Sequence, residues 1–137
     1  MADVSVTAAS VVKTTTSLIG YGTAGGTVTA GQPVYADTTA SNKLKPCDAD
    51  VLASSKAIGI ALHGASDGQP LQYCYGGNLT FNSAFTVGQV YVCSVNAGGI
   101  APYADLATGD FVTILGVATT ATNLKLGILY SATAKPS

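Results

Sequence analysis

His63, Ser66 and Asp67 lie close enough in the chain to suggest a general base, a nucleophile and an orienting acid, the parts of hydroxyl-based acyl chemistry. His63 is the only histidine, and it ends a strand predicted over Ala57 to Leu62, just before the loop Gly64-Ala65-Ser66-Asp67-Gly68. Any histidine beside a polar turn has such neighbours, so the expectation is a solvated loop or interface histidine. Gly20-Tyr21-Gly22-Thr23-Ala24-Gly25 spells G-x-G-x-x-G, with Asp37 further on at the end of a predicted strand, as in a dinucleotide fingerprint. That chemistry needs a helix directly after the glycines to receive a pyrophosphate. Here two more glycines and Pro33 follow, so a flexible loop over Gly20 to Gly26 is expected and no nucleotide.

Asp48, Asp50, Asp105 and Asp110 carry oxygens that suit Ca²⁺, but calcium loops are normally closed by a glutamate and the chain has none. Cap or turn roles are expected instead. Cys47, Cys74 and Cys93 are odd in number, and their spacing matches neither a closed disulfide framework nor a zinc knuckle. They read as small buried hydrophobes kept reduced. The seven tyrosines could line a sugar-binding face, yet their even spread favours packing or subunit contact. No catalytic, cofactor-binding or metal-binding residue is assigned, and no enzyme activity or small-molecule substrate is expected.

The elements that must position these residues are short strands. Val28-Thr29-Ala30-Gly31-Gln32-Pro33-Val34-Tyr35 returns as Phe85-Thr86-Val87-Gly88-Gln89-Val90-Tyr91-Val92, and Ile58-Gly59-Ile60-Ala61 returns as Leu115-Gly116-Val117-Ala118. Both recur at an offset of 57 residues, at which Tyr73 also meets Tyr130. Two motifs that keep one spacing predict a duplicated unit. The predicted fold is all-β, a small antiparallel barrel or sandwich made of half-units over residues 20–76 and 77–131. Gly76-Gly77 is expected to turn the chain between them. At most one short helix is expected, over Asp48 to Lys56 with Asp48 or Asp50 as its cap. Residues 1–19 stand outside the repeat as an extended N-terminal arm or extra strand, and residues 132–137 read as a loose tail.

Only 9% of the 137 residues are charged, the net charge is -1, and there is no Arg. Without bidentate guanidinium readers or a basic run, nucleic-acid binding is not expected. No stretch approaches the length of a membrane span, and the N-terminus does not read as a signal peptide. A surface so poor in charge predicts burial against other chains.

Thr29-Ala30-Gly31-Gln32-Pro33-Val34-Tyr35, Lys43-Leu44-Lys45-Pro46, Ala57-Ile58-Gly59-Ile60-Ala61 and Gly68-Gln69-Pro70-Leu71 together resemble the capsid decoration (cement) proteins of tailed bacteriophages. The likeness covers residues 28 to about 75; in the second half Lys125-Leu126-Gly127 replaces Gly68-Gln69-Pro70. The resemblance implies a non-enzymatic β-barrel on the capsid exterior of a virion, made in the host cytoplasm and assembled as a homotrimer. Its partner would be the major capsid protein, whose neighbouring subunits it clamps. The alternative is a fibre or receptor-binding module that recognises host glycan.

Overall fold

The computed structural model describes residues 3–136, and Met1, Ala2 and Ser137 lie outside that range. The domain is all-β. Ten strands follow in order: β1 (Val12–Lys13), β2 (Leu18–Thr23), β3 (Pro33–Asp37), β4 (Lys43–Pro46), β5 (Ala57–Ala61), β6 (Pro70–Thr80), β7 (Val90–Cys93), β8 (Ile100–Pro102), β9 (Phe111–Ala118) and β10 (Asn123–Ala134). They form one antiparallel sheet with the path β4-β3-β5-β6-β10-β9-β7-β8, while β1 and β2 add to β6. The two ends of the path, β4 and β8, do not pair, so the sheet is curled and open, a half-barrel.

The strand entries show why this sequence pairs as it does. Gln32 N donates to Thr29 O, and Gly31 takes a φ of 90°, a turn position suited to a residue without Cβ. Pro33, which has no N–H to give a ladder, then opens β3. Gln89 N likewise donates to Thr86 O, with Gly88 at φ 85° before β7. Gly31 N bonds Ala61 O and Gly88 N bonds Ala118 O, both at 2.8 Å. Val34 faces Gly59 and Tyr91 faces Gly116, and each ladder shifts register directly afterwards. Pro102 stands one residue short of the 57-residue offset from Pro46, and the turn absorbs the difference, because Tyr91 faces Pro102 as Val34 faces Pro46.

Beyond these entries the equivalence at 57 residues lapses. Ala61 faces Tyr73 but Ala118 faces Leu124, so Leu124 takes the ladder position of Tyr73, and Tyr130 pairs with Thr113 instead. The shorter turn between β9 and β10 causes the slip. Pairing also differs: Gly76 bonds β2 on one edge and β10 on the other, whereas Cys74 has β2 opposite β5. β5 and β10 therefore share an edge of β6 and the sheet branches there, while β6 and β9 flank β10 on opposite edges.

Several sequence expectations change. Gly76-Gly77 does not turn the chain; β6 runs through it, and Gly77 holds a φ of 75° where the backbone of Thr16 crosses so closely that no Cβ would fit. The proposed half-unit boundary thus falls inside a strand. No α-helix occurs among the described residues; single 3-10 turns form at Ala8–Ser10, Thr38–Ala40, Ala53–Ser55 and Tyr103–Asp105. The turn at Ala53–Ser55 has no side-chain cap, because apolar Leu52 holds the cap position, while Asp48 Oδ1 accepts from Asp50 N in its own tight turn upstream. The tail is held as well: β10 continues to Ala134, and Lys135 N bonds Asp110 O at 2.7 Å.

Two apolar clusters fill the fold. The larger joins both halves through Ile60, Leu79, Phe81, Phe85, Tyr91, Leu115 and Leu124, and the smaller sits under the first half around Val28, Val34, Leu44 and Leu71.

Candidate interaction surface

His63 is held by backbone on both ring nitrogens. Gln72 N donates to Nε2 at 3.0 Å, which leaves Nδ1 as the donor to Gly64 O at 2.9 Å. The imidazole thus serves as a carbonyl substitute at the mouth of the β5–β6 hairpin. Asp67 pairs with Lys43 at 3.3 Å, and Ser66 N bonds the Gln69 side chain, so neither residue is joined to His63. His63→Ala should cost about 0.5–1.5 kcal/mol, the worth of an ordinary hydrogen bond, as measured by urea unfolding. A loss far above that range would point to a larger role for the ring.

The G-x-G-x-x-G run is the second half of β2 and its exit, with no helix after it. Its glycines make room for side chains from other strands. A Cβ on Gly20 would overlap the Tyr73 ring, one on Gly22 would reach Leu44 Cδ1 at 2.7 Å, and one on Gly25 would reach Lys43 Cβ at 2.8 Å. The spacing is that of a strand face roofed by neighbours, not of a phosphate cradle.

Of the candidate aspartates, Asp48 and Asp110 are engaged locally. Asp110 Oδ2 accepts from Ala107 N at 2.8 Å, and among the described residues no three carboxylate, thiol or imidazole groups stand together as a metal would require. Asp37, which the sequence offers only as a fingerprint partner, is the most perturbed carboxylate. It accepts from Lys45 Nζ at 2.7 Å and from both the hydroxyl and the N–H of Thr39. The lysine bond, then the threonine bonds, hold its carboxyl down to about 2, and Asp37 in turn raises Lys45. A depressed carboxylate contributes stability that is full above its unfolded value of 3.8 and lost as pH falls through about 2. The melting temperature of Asp37→Asn should therefore show a shallower fall than the parent between pH 4 and pH 2; parallel curves would contradict the assignment. The pair lies at the surface, so the effect is small.

Cys47, Cys74 and Cys93 are all buried, as expected. Burial pushes the Cys93 thiol well up, with its bond to Cys47 adding to the shift. The tyrosines divide: Tyr91 is core, whereas Tyr21, Tyr75, Tyr103 and Tyr130 are exposed. Lys135 sits over the Tyr103 ring at 4.8 Å and Lys56 over the Tyr130 ring at 5.9 Å.

No protein-family model matches the chain, and no curated protein matches it. The surface itself therefore carries the functional argument. Three strands that pair side by side expose large apolar residues: Leu18 and Tyr21 on β2, Tyr75 on β6, Leu129 and Tyr130 on β10. Val51, Leu52 and Val87 add exposed apolar loop tips. Alternation alone did not single these out, because the bulges in β6 and β10 break the period that separates the two faces.

The N-terminal segment is the other unusual surface. Residues 1–19 read from the sequence as an extended arm or an extra strand; here Asp3 to Thr7 lie along their own domain, and Val12–Lys13 pair with β6. Asp3 accepts from Ser94 Oγ at 2.6 Å and Asn96 Nδ2 at 3.1 Å, and Val4 N bonds Ile100 O at 2.7 Å, on β8. The Asn82 amide grips Ser5 O and Thr7 N. A cavity of about 230 Å³ remains between this segment, Thr29–Gln32 and Gly98–Ile100.

Proposed function

We propose that this chain is a structural protein of a tailed-phage virion that binds the outside of the assembled capsid and clamps neighbouring major capsid subunits. The observation that carries this reading is the apolar exposure of a chain with almost no charge. Single exposed apolar residues are ordinary. Here at least eleven large ones are exposed on a chain with 9% charged residues, which leaves little to keep free copies apart. Permanent contact with other chains resolves that problem. The strand path, with β3, β4, β5 and β6 mirrored by β7, β8, β9 and β10, supports a scaffold that arose by duplicating one half-unit.

Trimeric assembly belongs to the same proposal, since three weak attachments made together bind far more tightly than one. The N-terminal segment is assigned the reach to a neighbour. Its backbone hold on β8 is a single hydrogen bond, and the same backbone could add to a free sheet edge on the shell. The whole activity is binding, with no catalytic residue, cofactor or nucleic acid involved.

Cosedimentation with expanded heads of the virus that encodes the chain tests this. The parent should pellet saturably, and a chain lacking residues 2–7 should stay folded but bind more weakly; Val11 must be kept because it is core. Failure of the parent to pellet, together with saturable binding on a glycan array, would select the fibre-module reading instead.

A further inference from the structure

Cys47 follows β4 and Cys93 ends β7, and their Sγ atoms lie 2.8 Å apart although 46 residues separate them. Both side chains are fully buried. A disulfide brings two sulfurs to about 2.05 Å, so a small side-chain adjustment would close the pair. The elements that carry the cysteines are already stitched together by backbone. Gly98 N bonds Cys47 O at 2.8 Å, and Ala49 N bonds Ser94 O at 2.9 Å. Cys74 is the internal contrast, since its Sγ bonds Gly76 O and faces neither of the others.

We infer that Cys47 and Cys93 form a specific disulfide that staples the first half of the domain to the second under oxidising conditions. This inference is independent of the capsid reading. The oxidant is a small-molecule disulfide such as oxidised glutathione. One cysteine thiolate attacks it, forming a mixed disulfide and releasing one small thiol. The second cysteine thiolate then attacks the protein sulfur of that mixed disulfide and releases the other small thiol. The protein loses two thiol protons and two electrons, and the small disulfide is reduced to two thiols. Burial keeps both thiols out of reach in the folded domain, so exchange runs while the chain folds or opens, and the finished bond is then protected from reductant. A link between residues so far apart in sequence removes much of the freedom of the unfolded chain.

The test is to refold the whole chain with oxidised glutathione or with excess reductant. Thiols are counted under denaturing conditions, the crosslinked peptides are mapped, and both forms are melted. The oxidised form should retain one free thiol, Cys74, show a Cys47–Cys93 peptide, and melt higher by on the order of 10 °C. Cys74→Ala should behave as the parent does, and Cys93→Ala should show no shift between the two conditions. Three free thiols after oxidation, a crosslink that involves Cys74, or a staple that leaves melting unchanged would each overturn the inference. The thiol count on the parent decides the matter even if a cysteine variant fails to fold.

Discussion

Gly116→Val is expected to abolish cooperative folding or to lower stability by more than about 3 kcal/mol. Gly116 lies between two strands, facing Tyr91 on β7 and Leu126 on β10. A Cβ there would overlap the carbonyl oxygen of Lys125 and come within 3.0 Å of Leu126 Cα. The obstacle is main chain, which cannot rotate away as a side chain can. The repeat places Gly59 in the same role: its Cβ would overlap the Tyr73 ring and reach Cys74 O at 2.9 Å. Gly127 is the control, because nothing lies within 4 Å of its would-be Cβ and its φ is not positive. Gly127→Ala should stay within about 0.5 kcal/mol of the parent. Denaturant unfolding of the two variants checks this, and equal losses would mean that the close strand approach at Gly116 is not what requires glycine.

Tyr91→Ala should cost about 3–5 kcal/mol, a large share of the roughly 5–15 kcal/mol that holds a domain together. The ring is 2% exposed and stands edge-on to Phe85 with centroids 4.8 Å apart, while Phe85 stands edge-on to Phe81 at 5.0 Å. Its hydroxyl accepts from Thr86 N at 2.8 Å, tying the core to the strand-entry turn. Tyr91→Phe keeps the packing and strands that N–H, so its cost should be about 1–2 kcal/mol. The two losses separate packing from hydrogen bonding; if Tyr91→Phe cost as much as Tyr91→Ala, the hydroxyl rather than the ring would be the anchor.

The two matching strand entries are legible because they are built from backbone requirements. Gly31 and Gly88 must be left-handed, and Gly59 and Gly116 must lack a side chain, so residue type alone marks them. Where demand for glycine comes from a distant partner, sequence misleads. Gly76-Gly77 reads as a turn, yet the space it leaves is filled by Leu18 and Thr16 running alongside β6. Gly20 and Gly22 read as a loop for the same reason, since Tyr73 and Leu44 cover them. His63 was recognisable as a turn neighbour, but its bond to Gln72 N depends on hairpin register, which local sequence does not encode. The Cys47–Cys93 contact is the extreme case, created wholly by how the halves pack.

If the chain clamps a shell, it must make that shell harder to open. DNA-filled heads lacking the chain can be heated with and without saturating protein while a DNA-binding dye reports release. The release temperature should rise as the chain is added and level off once its sites on the shell are filled. An unchanged release temperature at saturation would contradict the account.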